Sequence, residues 1–145
     1  MGFQFSLDAV LQVRGIIEEQ EERMLQNILQ EIARTRETLA QIEARIAESD
    51  AARCAGFFTP VIGQKIQAIY GELEELKQNR KDLQEKLRKL GELRERQLLV
   101  YAKARQNREV LADMCEEQRQ AHESEMAHIG QKVLDDIEIS RRGRN

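Results

Sequence analysis

Between Ile62 and Leu90, positions separated by alternating steps of four and three are filled by Ile62, Ile66, Ile69, Leu73, Leu76, Arg80, Leu83, Leu87 and Leu90. Only Arg80 departs from the aliphatic type. A 4-3 repeat sustained over four heptads is the pattern of an α-helix that packs one narrow stripe against another helix. It excludes a strand, which would need a period of two. A weaker copy runs ahead of it through Ile28, Ile32, Thr35, Leu39, Ile42 and Ile46. Further upstream Leu7, Val10, Ile17, Met24 and Leu25 extend the stripe, with Arg14 and Glu21 interrupting. The change of phase between Ile17 and Ile28 reads as a stutter, which locally unwinds a supercoil.

Composition supports long helices. Ala, Glu, Lys, Leu and Arg supply 72 of 145 residues, with one proline, six aromatic residues and no tryptophan. Such a chain has few large side chains with which to fill a globular centre. The expected elements are a helix over residues 7–50 with Ser6 as N-cap, a tip over 51–60, a helix over 61–140 and a basic tail over 141–145. Thr59 and Pro60 fit the cap and first position of the second helix. Lys81 with Glu85, Asp82 with Lys86, Glu85 with Lys89, and Glu92 with Arg96 are spaced to pair along its surface. The fold class is all-α: one domain, residues 1–145, built as a two-helix antiparallel coiled-coil hairpin with an extended C-terminal helix.

Charge favours the hairpin over a parallel pair of chains. Residues 7–35 hold six acids and three arginines, and residues 77–108 hold eleven bases and four acids. Folding back near Gly56 sets these opposite charges beside each other, and flanking charge sets orientation in coiled coils. The chain alone is therefore expected to be a monomer. The arms are unequal, about 66 Å and 120 Å at 1.5 Å per residue. With the turn near Gly56, residue 7 lies opposite residue 105, and residues 106–139 are expected to lack an internal partner. From Glu109 onward this stretch carries nine acids against Arg119 and Lys132, together with Cys115, Met126, Ile129, Val133 and Ile137. An exposed apolar stripe of this kind marks an interaction surface. Phe57 and Phe58 at the tip, and Arg141 and Arg142 at the end, complete the candidate partner-binding residues.

Several chemistries find no pattern. The sequence has no phosphate-binding GxxxxGK[ST] loop and no GxSxG elbow. His122 and His128 fall on different sides of a helix. Cys115 and His122 share a face at two-turn spacing, which suits a seam better than one zinc ion. A two-helix arrangement offers no concave site to retune its carboxylates, so no enzymatic activity, catalytic residue, cofactor, metal or small-molecule substrate is expected. The basic run at 77–108 has acids interspersed and only Tyr101 to stack on a base, so a solvated, paired face is expected rather than nucleic-acid binding. Cys54 and Cys115 would lie about 90 Å apart in a hairpin, beyond disulfide reach. Two unlinked cysteines suggest a reducing compartment. No apolar run approaches the length of a membrane span, and no secretory signal is expected.

The two ends carry a resemblance. The opening Phe3, Phe5, Leu7, Val10, Leu11 and Arg14 is similar to the F-x-F-x-L-x-x-V-L-x-x-R start of the FliJ family of flagellar type III export stalk proteins. The close, Leu134, Asp135, Asp136 and Ile137 followed by Arg141 and Arg142, resembles that family's acidic L-D-E/D-I end. Gly15 is a small departure. The resemblance implies a non-enzymatic stalk and chaperone component seated in the pore of the hexameric flagellar export ATPase. It also implies coupling to the export gate membrane protein and contact with export chaperones, in the cytoplasm at the inner face of the cell membrane. The alternative is a cytosolic coiled-coil chaperone or tethering module with another client.

Overall fold

The computed structural model describes residues 2–56 and 63–144. The fold is a two-helix antiparallel hairpin: α1 spans Asp8–Gly56 and α2 spans Gly63–Gly143. No helix among the described residues is long and apolar enough to cross a membrane.

Helix α1 continues six residues beyond the expected boundary at residue 50. The extra turn and a half is Ala51, Ala52, Arg53, Cys54, Ala55 and Gly56. Three alanines carry no side-chain entropy cost in a helix, and no proline stands among these residues. At its other end Leu7, rather than Ser6, directly precedes the helix. The Leu7 carbonyl accepts from the Leu11 amide at 2.9 Å, and the Phe5 carbonyl accepts from the Asp8 amide at 3.1 Å. Helix α2 extends through Arg141 and Arg142, so the expected basic tail is its last turn. Cations there meet the negative end of the helix dipole. The expected cap at Thr59 and Pro60 lies outside the described residues.

Burial shows that both stripes keep one phase. Along α1 a row of shielded positions, Leu11, Arg14, Glu18, Glu21, Leu25, Ile28, Ile32, Thr35, Leu39, Ile42, Ile46, Ser49 and Arg53, keeps unbroken 3-4 alternation, with Gly15, Ile17, Glu31 and Asp50 partly covered beside it. The stutter expected between Ile17 and Ile28 is absent. Val10 and Met24 are exposed, while charged Arg14, Glu18 and Glu21 occupy the seam. The polarity of the seam changes there and its register does not. Along α2 the same alternation runs from Ile69 through Arg80, Arg94, Gln97, Tyr101, Ala104 and Arg108 to Leu111 and Cys115. Leu98 is exposed rather than part of it.

The chain divides into two compact units. The first is Glu22–Val100, where the seam is most apolar. Ile46, Leu73 and Leu76 form its buried cluster, with Ile42 packed against them. Thr35 is only 3 % exposed. Its hydroxyl donates to the Glu31 carbonyl at 2.8 Å, so a polar group is buried without being left unpaired. Two ion pairs cross between the helices here, Lys86 Nζ to Glu31 at 2.8 Å and Arg45 to Glu72 at 3.5 Å. The pairs expected along α2 give way to others. Arg88 engages Glu85 one turn before it and Glu92 one turn after it. A guanidinium offers a fork of donors to both carboxylates, which an ammonium does not. Arg53 lies over the Tyr70 ring at 5.8 Å and pairs with Asp50 at 3.7 Å.

The second unit, Met1–Glu21 with Tyr101–Asn145, has Ala104 and Phe5 as its buried apolar residues. Its seam carries an ion pair between Glu18 and Arg108.

Two predictions follow from the first unit. Leu73→Ala removes the least exposed apolar side chain of the cluster and should cost about 2 kcal/mol, the low end for buried leucines because the site borders solvent. Urea unfolding followed by helical circular dichroism measures this. The control Leu99→Ala, at an exposed position, should change stability by less than about 0.5 kcal/mol. The second concerns acid. The Lys86 ammonium, by hydrogen bond and then by charge, holds the Glu31 carboxyl below the usual carboxylate range. A value lower in the folded chain than in the unfolded one stabilises fully above the ordinary Glu value of 4.5. That contribution is lost as pH falls through the lowered value. Glu31→Gln should therefore flatten part of the acid-side fall of Tm and leave the neutral side unaltered in slope.

Candidate partner-binding surface

Residues 2–7 precede α1, and they are what brings its start onto α2. The Phe5 side chain is buried at 8 % exposure. The Phe3 ring meets the His122 imidazole at 5.7 Å between centroids, tilted by 39°. Gln4 and Asp8, with Cys115 and Arg119 of α2, line the same shallow depression as the two rings. This short segment is a strap across one face of α2.

The strap moves the start of the unpaired region. Residues 106–122 were expected to lack a partner, yet Arg108, Leu111, Cys115 and His122 are all partly covered. Two physical causes account for the change. Lys86 pairs with Glu31, Arg45 with Glu72, and Arg53 lies over Tyr70, so the two helices are matched about a point a few residues later than Gly56. Residues 2–7 also reach α2 ahead of the first helical residue, Phe3 meeting His122, which adds cover beyond what α1 itself provides. Cys115 and His122 serve as covered positions on the face under the strap.

Beyond His122 every described residue is exposed. Met126, Ile129, Val133 and Ile137 follow one another at steps of 3, 4 and 4 along one face of α2. Asp136 occupies the place that a strict heptad would fill after Val133. Leu134 and Ile139 add apolar surface outside the stripe. Arg142 pairs with Glu138 at 3.0 Å. Arg141 borders a groove with Val133, Asp136, Ile137, Ser140 and Arg144. The structure therefore puts Met126, Ile129, Val133, Ile137, Arg141 and Arg142 on one continuous single helix. Phe57 and Phe58 lie outside the described residues.

The shifted titrations in this unit belong to surface pairs one turn apart. Arg119 donates to Glu116 at 2.6 Å and to Glu123 at 2.8 Å. The hydrogen bond from Arg119 is the main cause that keeps the Glu116 carboxyl low, and Glu116 in turn raises Arg119. Arg105 is raised chiefly by its hydrogen bond to Glu109. These are solvent-exposed pairs at one-turn spacing, which support the helix and form no site. No group of three or more His, Cys, Asp or Glu side chains able to hold a metal ion is found among the described residues. Both thiols are free, Cys54 exposed and Cys115 partly covered. The arrangement is one of surfaces: a strap, a covered stretch of helix, and an uncovered stretch with apolar and acidic faces.

Compared with known proteins, the chain matches no protein-family model, no curated protein and no solved structure.

The strap makes a direct prediction. Phe5→Ala removes its one buried side chain, so Cys115 should react severalfold faster with a thiol reagent. The exposed Cys54 should react at its original rate and serves as the internal reference. Helical circular dichroism should fall little, because residues 2–7 are not helical.

Proposed function

We propose that this chain is a non-enzymatic stalk component of the flagellar type III export apparatus, in which residues 123–144 enter the pore of the hexameric export ATPase. The hairpin end then faces the export gate at the inner face of the cell membrane. The observation that carries this reading is the uncovered helix beyond His122. It has a stripe of half-exposed aliphatic side chains and, over residues 123–139, five acids against one lysine. Such a surface suits a ring lined by bases. Exposed charge pairs contribute only about 0–1 kcal/mol each, so contacts of this kind hold a stalk without locking it. The similarity of Phe3, Phe5, Leu7, Val10, Leu11 and Arg14 at one end, and of Leu134 to Ile137 at the other, to the FliJ family supports the same reading. Export chaperones would meet the same exposed surfaces.

A second reading is a coiled-coil chaperone with another client. Leu134 and Ile139 favour it, since they are exposed on α2 outside the stripe and widen the apolar surface beyond what one seam needs.

Truncation after Glu123 tests the proposal. Melting of the hairpin should change little, because residues 124–144 are all exposed. Copurification with the purified ATPase ring, and stimulation of its hydrolysis, should be lost. A truncated chain that stimulates the ring normally would refute the stalk reading. Full-length chain that never binds the ring yet suppresses aggregation of a client would favour the chaperone.

A further inference from the structure

A second uncovered surface lies on Glu22–Val100. Lys89, Leu93, Arg96 and Val100 follow at steps of 4, 3 and 4 on one flank of α2, outside the seam, with Leu99 beside them. All are exposed, and Leu99 is 74 % exposed, the most of any large apolar residue described. Single exposed aliphatics are ordinary, but Leu93, Leu99 and Val100 stand within eight residues beside one another and make a patch. Among the described residues Arg96 makes no hydrogen bond or ion pair. Glu92, on the same side, is already engaged by Arg88 at 2.7 Å. Over residues 77–100 eight bases stand against four acids, net +4.

The end of α2 is its complement. Over residues 123–139 five acids stand against one lysine, net −4. Glu125 and Asp136 flank the Met126, Ile129, Val133 and Ile137 stripe on one side, and neither makes a hydrogen bond or ion pair in the described structure. Each surface runs over twelve residues, 89–100 and 126–137, about 17 Å of helix at 1.5 Å per step. One presents aliphatics with an unpaired guanidinium, the other aliphatics with unpaired carboxylates.

We infer that the C-terminal helix of one copy of this chain docks, through Met126, Ile129 and Val133, on the Lys89, Leu93, Arg96 and Val100 flank of a second copy. The contact is heterologous, joining two different patches, so each copy keeps one free patch of each kind and assembly proceeds beyond the dimer. Its area lies at the small end of specific interfaces, which makes the association weak and reversible. Charge complementarity adds a dependence on salt, because exposed charges are screened within about 10 Å at 0.1 M. This inference uses the same C-terminal stripe as the stalk reading but does not rest on it, since its test needs only copies of the chain itself.

Sedimentation equilibrium of the purified full-length chain, up to about 1 mM and at low salt, tests it. The weight-average mass should rise with concentration past that of a dimer, and 1 M salt should reduce the rise. A patch variant, Arg96→Glu with Leu99→Glu, should remain monomeric, as should a tail variant, Val133→Glu with Ile137→Glu. An equal mixture of the two variants should recover association and stop at the dimer, because only one productive pairing remains. Serine versions of the same substitutions, checked for helical circular dichroism, guard against a charge-swapped chain that fails to fold. A wild-type chain that stays monomeric at all concentrations overturns the inference. So does a variant mixture that stays monomeric while the wild type associates, and tail-to-tail pairing would show itself as association of the patch variant alone. A patch variant that associates as the wild type does also overturns it.

Discussion

Everything in this fold hangs on one seam. Two helices in contact share a single line of approach, so only one row of side chains from each can leave water. The row is thin: Ile32, Ile46, Leu73 and Leu76 are the aliphatic side chains that are well buried in the first unit, and even these keep slight exposure. A three-layer protein can spread its stability over many contacts, whereas a two-helix seam must use each position. This is why the 4-3 alternation is kept without a break even where the residues supplied are charged. A shift of phase would turn the whole aliphatic row on one side toward solvent.

Keeping phase has a chemical consequence. Where the seam turns polar, its groups need partners or access to water. Thr35 bonds back to a carbonyl of its own helix. Glu18 and Arg108, one from each helix, pair with each other. Arg94 keeps most of its length beside the seam, and its Nε finds no partner. Long cationic side chains can cover apolar surface with their stems while the charge reaches out. Such pairs add little net stability, because desolvation offsets attraction. Their value lies in orientation: a chain with Glu18 facing Arg108, and Glu31 facing Lys86, is matched only when the helices run opposite ways.

The same geometry makes the exposed surfaces. Helix α2 has 81 residues and α1 has 49, so part of α2 must go uncovered. The strap of residues 2–7 lengthens the cover, with Phe5 and Phe3 holding the face around Cys115 and His122. Past that point the aliphatic face continues although its cover has ended. A face with seam-like spacing and no seam is a place for another helix or for a ring that encloses it. Both the stalk reading and the self-docking inference draw on it, one through a basic enclosure and the other through the basic flank of a second copy.

The sequence by itself determined the fold class. Ile62 to Leu90 admits only a helix with one narrow packing stripe, and the opposite charges of residues 7–35 and 77–108 select the antiparallel hairpin. The exposed face through Met126, Ile129, Val133 and Ile137 was equally legible, since the length difference between the arms is visible in the spacing alone. Arg14 and Glu21 were legible as interruptions of the stripe, but its exact phase was not, because hydrophobicity marks Val10, Met24 and Leu98 as inward while the helical turn brings Leu11, Glu18 and Gln97 there. Only the tertiary structure decided where the cover ends, because that depends on a non-helical segment ahead of α1 whose Phe3 meets His122. Only it decided which charges remain unpaired: Lys86 reaches across to Glu31, Arg88 takes both Glu85 and Glu92, and Arg96 is left beside Leu99. Charge pairing is a competition among several partners at nearly equal distance, and spacing along one helix does not say which of them lies closest in space.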